Sequence, residues 1–220
     1  MKRDESIQRI RDRERPWDVL VIGGGATGVG IALDAASRGL DVLLLERFDF
    51  GKGTSSRSTK LVHGGVRYLA QGNITLVRDA LRERGLLMQN APHLVSPMSF
   101  VIPCRSWWRW LFYGLGLKVY DLLARGDQFS RSKLVSAKRA VELVPTLTPK
   151  GLRGGVAYQD GQFDDAALLL AMARTASRHG ACLANYMNVI ALKKDDEGQV
   201  LGVEVTDNET DEVIPILARQ

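Results

Sequence analysis

Two cysteines and three histidines are all that 220 residues provide, and the scarcity removes several classes of function at once. Cys104 and Cys182 are far apart and form no C-x-x-C, so no disulfide framework, zinc finger or thiol redox pair is expected. Two ordinary buried thiols in a reduced compartment are expected instead. No two histidines stand at metal-ligand spacing, so no metal site is expected, and three histidines among many serines select no Ser-His-Asp set. His93 follows Pro92 and reads as structural, while His179 suits the negative end of a helix. No run of about 18 apolar residues occurs, so nothing is expected to span a membrane. A large excess of one charge is missing too: 30 basic and 25 acidic residues leave +5. With no basic tract and no RNP-like aromatic pattern, nucleic acid has no support. The small positive excess suits an acidic substrate or an anionic membrane surface, and equally an undistinguished basic protein. Residues 1–15 are almost all polar and include Asp4, Glu5, Asp12 and Glu14. They lack the apolar core of a signal peptide and the acid-poor composition of a transit sequence, so a frayed or loosely docked helix and a cytoplasmic protein are expected. The 45% hydrophobic content is that of an ordinary globule of one large or two small domains.

What the chain does have is concentrated near its beginning. The β-branched run Val19, Leu20, Val21, Ile22 breaks into Gly23, Gly24 and Gly25, and Gly28 opens an alanine-rich amphipathic stretch. That reads as strand, tight turn, helix. Gly23, Gly25 and Gly28 stand at the G-x-G-x-x-G spacing, which suits a tight turn, a close approach of backbone to a pyrophosphate, and close helix–strand packing. The helix N-terminus then offers unpaired N–H groups and a positive dipole end to an anion. Arg38 and Gly39 close the helix, and a second apolar strand from Val42 to Leu45 ends in Glu46, 18 residues beyond Gly28. That is where the ribose-binding acid of a βαβ dinucleotide unit belongs. Strand, glycines, helix, strand and terminal acid in this order set dinucleotide binding above a merely structural turn. The polar loop that follows, with Thr54, Ser55, Ser56 and Lys60, can hydrogen-bond a long cofactor and favours FAD over NAD.

The segments GGGATGVGIALDAASRGLDVLLLE and GTSSRSTKLVHGGVRYL together resemble the FAD-dependent glycerol-3-phosphate dehydrogenases, within the wider glycine-oxidase-like flavoproteins. The second segment is the more specific. Ala91-Pro92-His93-Leu94, Val119-Tyr120-Asp121 and the stretch from Tyr158 to Asp165 carry the likeness further, so that it covers nearly everything after residue 17. The resemblance implies FAD as cofactor, glycerol 3-phosphate as substrate and a quinone as electron acceptor. Oxidation to dihydroxyacetone phosphate would proceed by hydride transfer to flavin N5. It assigns Gly23, Gly25, Gly28, Glu46, Thr54, Ser55, Ser56, Lys60, His63 and Val189 to the cofactor, and Arg67 and Tyr68 to catalysis. Rival readings are an oxidase of the same group acting on glycerol 3-phosphate or an amine with oxygen, and a catalytically silent dinucleotide-binding module.

Beyond Tyr68, Ile74, Leu76, Val77, Leu81, Leu86 and Leu87 fall on one helical face, with Arg78, Asp79, Arg82, Glu83 and Arg84 expected on a solvated one. A strand bounded by prolines is expected at 98–103. Residues 106–120 gather Trp107, Trp108 and Trp110 among Arg105, Arg109 and Lys118. Tryptophan and arginine together suit a membrane interface, and a helix packed between domains is the alternative. The family resembled consists of peripheral membrane enzymes, which points to residues 107–120 as a contact with the inner face of the cell membrane. A polar linker is expected at 130–133, a short helix capped by Ser136, a strand and turn at 154–163, a helix from 164 to 179, and strands near 181–186, 189–192, 200–205 and 213–217 at hairpin spacing. The fold expected is α/β: a Rossmann-like, doubly wound FAD-binding sheet with a β-meander and an inserted α+β substrate domain. The expected divisions are a polar extension at 1–16, the FAD domain at 17–94 and 162–220, and the insertion at 95–161. In the family resembled, further catalytic groups and a closing strand follow the meander, so a longer natural chain is expected; a homodimer is compatible with it.

Overall fold

The computed structural model describes residues 2–124 and 131–220, except for the side chains of Arg67 and Ala70. The chain begins with helix α1 (Arg3–Arg11), whose Ile7 and Ile10 are buried. The expectation of a frayed helix is therefore corrected. Two isoleucines among charges make a narrow stripe, but they join Trp17, Leu43, Leu45 and Cys182 in one core. Arg3 pairs with Asp207 at 2.5 Å and with Glu209 at 2.7 Å, and the Arg13 guanidinium lies 4.0 Å over the Trp17 ring.

Strand β1 (Val19–Ile22), helix α2 (Ala26–Ser37) and strand β2 (Val42–Leu45) form the expected βαβ unit, with β1 and β2 parallel from Val19 opposite Val42 to Ile22 opposite Leu45. All four residues of β2 are buried, as an unbroken apolar run in a parallel sheet requires. Gly39, at φ 83°, takes the left-handed conformation that ends α2.

Next come a short 3-10 turn (Thr54–Ser56), β3 (Leu61–Val62), α3 (Val66–Ala70), α4 (Ile74–Asn90), β4 (Val95–Cys104), α5 (Trp107–Leu123), β5 (Lys133–Ser136), α6 (Ala137–Leu143) and β6 (Gly154–Phe163). The side chains of Asn73, Ser106 and Ser136 accept N–H bonds at the starts of α4, α5 and α6. Strand β6 is the hub: it pairs antiparallel with β4 over its whole length and with β3 and β5 along its other edge. Pro97 and Pro103 lie inside β4 and do not bound it. Among the described residues β4 has one neighbour only, so a proline lacking N–H is tolerated on its open side. Of the linker expected at 130–133, residue 130 lies outside the described residues. Ser132 is buried against the Asp121 carboxylate, and Lys133 begins β5. Arg84, assigned to a solvated face of α4, is 1% exposed.

Helix α7 (Asp165–Arg178) then packs beside α2, and β7 (Cys182–Ala184) extends the parallel sheet in the order β1-β2-β7. Strands β8 (Met187–Lys194), β9 (Val200–Asp207) and β10 (Val213–Leu217) form the antiparallel meander. Cys104 and Cys182 are both free and buried.

The chain separates into two compact units, residues 1–58 with 165–220, and residues 59–164. These divisions fall at 58/59 and 164/165, where 94/95 and 161/162 were expected, and residues 1–16 group with the first unit. The physical reason is that β3 adds to β6, while Val77 and Leu81 of α4 share a core with Leu117, Tyr120 and Val156.

Candidate functional site

In the first unit the site grows out of the turn between β1 and α2. Gly23 has φ 108° and donates its N–H to Leu45 O at 2.8 Å, so the chain leaves β1 in a conformation that L side chains rarely adopt. A Cβ on Gly28 would stand 2.0 Å from Gly23 O. Helix α2 therefore starts as close to the strand as backbone allows. Gly25 is its N-cap, and the first N–H groups of the helix have no acceptor within it. One of them, on Ala26, donates to Ser55 Oγ at 2.8 Å, so the hydroxyl loop comes back to the helix start. Glu46, at the end of β2, receives Gly24 N–H at 2.6 Å on one carboxylate oxygen and Phe48 N–H at 2.8 Å on the other. Each oxygen keeps lone-pair capacity for a further donor such as a ribose hydroxyl.

These parts surround a cavity of about 390 Å³ lined by Gly25, Glu46, Phe48, Lys52, Thr54 and Ser55 among others. The cavity offers a helix dipole and backbone donors for an anion, the Lys52 ammonium, and a carboxylate for hydroxyls. Of the residues singled out from the sequence, Gly23, Gly25, Gly28, Glu46, Thr54 and Ser55 come together here, and Ser56 shares the turn. Sequence reasoning missed Gly24, where a Cβ would meet the Phe50 ring at 2.6 Å and Glu46 Cβ at 2.9 Å. The signal was present as a third glycine in the run.

A second cavity, of about 530 Å³, lies within the second unit. His63 and Tyr68 border it together with Gly65, Phe100, Tyr158 and Asp160. Phe100 and Tyr158 stack with ring centres 5.4 Å apart. The Arg67 side chain lies outside the described residues. Lys60 and Val189 line neither cavity: the Lys60 carbonyl accepts Phe163 N–H, and Val189 packs on the core from β8 opposite Val205. Sequence reasoning also missed Phe100 and Asp160: the pairing of β3 with β6 brings Asp160 to the cavity, and that of β4 with β6 brings Phe100. Among the described residues no cluster of His, Cys, Asp or Glu could hold a metal ion.

Residues 18–216 match the family of FAD dependent oxidoreductases. The chain belongs to that family. It is 48% identical over 197 residues to the mitochondrial glycerol-3-phosphate dehydrogenase of Homo sapiens, covering 86% of this chain and 27% of that one. It is 44% identical over 227 residues to the mitochondrial glycerol-3-phosphate dehydrogenase of Saccharomyces cerevisiae, covering 100% of this chain and 35% of the relative. The structure of glycerol-3-phosphate dehydrogenase from Bacillus halodurans, determined with FAD, superposes with a TM-score of 0.74 at 36% identity, covering 100% of this chain and 36% of that one. The chain thus spans about a quarter to a third of the length of the relatives it matches. FAD is the family's cofactor, and the first cavity fits its adenosine diphosphate half. Side chains at Gly24 or Gly28 would collide with Phe50, Glu46 and the Gly23 carbonyl and so displace the turn, the donors at the start of α2 suit a pyrophosphate, and Glu46 suits a ribose.

Proposed function

We propose that this protein oxidises sn-glycerol 3-phosphate at C2 to dihydroxyacetone phosphate and passes the electrons to a quinone. The observation that carries the reading is the β1–α2 cradle closed by Ser55 and Glu46, in a chain with 48% identity to a named glycerol-3-phosphate dehydrogenase. FAD, when bound, supplies the two-electron acceptor for the hydrogen leaving C2. Gly25 and the first turn of α2 hold the pyrophosphate, helped by the hydroxyls of Thr54, Ser55 and Ser56. Glu46 orients the adenosine ribose. Lys60, His63 and Val189 are assigned to the cofactor on the resemblance alone. Tyr68 borders the second cavity, and its phenol is assigned to the substrate hydroxyl. Arg67 is assigned to the substrate on the sequence alone, because a guanidinium is a planar fork of donors suited to a phosphate or a developing alkoxide.

Support for a quinone acceptor comes from α5. Trp107, Trp108, Leu111, Phe112, Leu115 and Leu122 are all more than half exposed, with Trp108 at 84%. Exposed Arg105, Arg109 and Lys118 flank them, and such a face fits an anionic bilayer in which a quinone dissolves. Among the described residues no helix is long and apolar enough to cross a membrane. The opposite face of α5 packs within its own unit: Leu117 and Tyr120 are buried, and Trp110 Nε1 donates to Gly155 O at 2.9 Å.

The test is turnover of the purified natural protein with sn-glycerol 3-phosphate and an artificial electron acceptor. Dihydroxyacetone phosphate formed without peroxide supports the reading. Peroxide in stoichiometric yield would make the protein an oxidase, and no product from this substrate would remove the function altogether.

A further inference from the structure

Behind the second cavity lies a buried polar set that the proposed chemistry does not use. Arg84 of α4, Tyr120 of α5 and Asp160 of β6 are each no more than 3% exposed. Arg84 Nη1 donates to Asp160 Oδ1 at 2.5 Å. Tyr120 Oη donates to Asp160 Oδ2 at 3.1 Å and accepts Gly64 N–H at 2.9 Å. Three elements distant in sequence therefore converge on one backbone N–H. Burial first, and then the Asp160 charge, push the Tyr120 phenol far above its ordinary range, so it stays protonated and is no general base. Paired with Arg84, the Asp160 carboxylate brings little net charge to a cavity proposed to take an anion.

The N–H held in this way belongs to the turn that carries the cavity wall. A Cβ on Gly64 would stand 2.5 Å from both Tyr120 Oη and Leu81 Cδ2, so the turn lies in contact with the clamp. Gly65, at φ 71°, then reverses the chain into α3. A Cβ there would stand 2.5 Å from the Tyr68 ring, so that ring lies against the turn. His63 precedes the turn, and both His63 and Tyr68 border the cavity. We propose that Tyr120, clamped by Asp160 and Arg84, is a positioning residue that fixes the Gly64–Gly65 turn and thereby sets Tyr68 against the substrate and His63 against the cofactor. The inference rests on the reading above that the substrate reacts in this cavity.

Tyr120→Phe keeps the ring and removes the acceptor for Gly64 N–H. In the FAD-loaded natural protein, kcat per bound flavin for glycerol 3-phosphate should fall about tenfold, with KM changed less than about threefold, because small misplacement of reacting groups acts on the chemical step. A merely structural tyrosine would lower yield and Tm and leave kcat per bound flavin unchanged, and that result overturns the proposal. Should the variant not fold, hydrogen exchange in the wild type decides. The Gly64 amide should be protected well beyond the exposed loops, and exchange as fast as theirs overturns the clamp. If the wild type does not oxidise glycerol 3-phosphate, the proposed function fails by itself, and the clamp stands or falls on that same amide.

Discussion

Replacing Gly28 and Gly30 by alanine should have opposite effects, although both glycines lie in α2 two residues apart. At Gly28 the added methyl would sit 2.0 Å from Gly23 O and 3.1 Å from Gly23 C. Ordinary contact begins near 3.4 Å, so the helix start must move about 1.4 Å away from the turn. Both offending atoms are backbone and cannot rotate aside. Overpacking of this kind costs about 3 kcal/mol, or a Tm loss of roughly 10 °C in a chain of this size. The same movement spoils the donors at the start of α2, so bound flavin should be lost as well. At Gly30 a methyl would meet only Met172 Cε at 3.7 Å, an ordinary contact. There the helix propensity of alanine should prevail, contributing about 0.5–1 kcal/mol and raising Tm by about 2–3 °C. The assay is flavin absorbance per protein together with thermal unfolding of the two variants and wild type. A Gly28→Ala protein with full flavin content and unchanged Tm would refute the close-approach argument.

Three further outcomes are expected. Glu46→Gln leaves one of the two N–H groups facing Glu46 opposite an amide NH2, so FAD affinity should fall by roughly ten- to a hundredfold, as for loss of a charge-assisted bond; an unchanged Kd in flavin titration would remove Glu46 from the site. Burial alone would raise the Asp41 carboxyl, but the hydrogen bond and charge of Arg13, with Arg15 and Arg9, hold it below its ordinary value. Its stabilising contribution is therefore present above the unfolded-state value and lost as pH falls through the folded one, so Asp41→Asn should flatten the acid limb of a Tm-against-pH curve below about pH 5; parallel curves would contradict this. Replacing Trp107, Trp108 and Leu115 by serine should release the protein from anionic vesicles with little change in Tm or soluble-acceptor turnover, whereas a large fall in Tm would show that these three side chains pack against protein.

The features legible in the sequence are those whose causes lie within a few residues. The Gly23–Gly28 turn, the closing Gly39, Glu46 at a strand end and the Ser136 cap each follow from local sterics and hydrogen bonding. The meander was legible because alternating strands are joined by turns such as Asp195 to Gly198, where Gly198 has φ 83°. What stayed hidden depends on partners far along the chain. Helix α1 reads as solvated until Asp207 and Trp17 are placed beside it. Arg84 reads as a surface charge until β6 brings Asp160 to it from 76 residues away. The cavity of the second unit was half legible: His63 and Tyr68 lie on one short segment, while Tyr158 and Asp160 arrive through the pairing of β3 with β6, and Phe100 through that of β4 with β6. The boundary near residue 58 was hidden for the same reason, since β3 is two residues long and is defined by its pairing with β6.

Glycerol 3-phosphate is proposed to give its electrons to a flavin held by this chain's βαβ cradle, and mixing the purified FAD-loaded protein with sn-glycerol 3-phosphate, without oxygen or any other acceptor, decides it. The oxidised-flavin absorbance should bleach in one turnover, with one dihydroxyacetone phosphate formed per flavin, and glycerol at the same concentration should leave the colour unchanged. A flavin that stays oxidised with glycerol 3-phosphate but bleaches with an amine or an amino acid would contradict it.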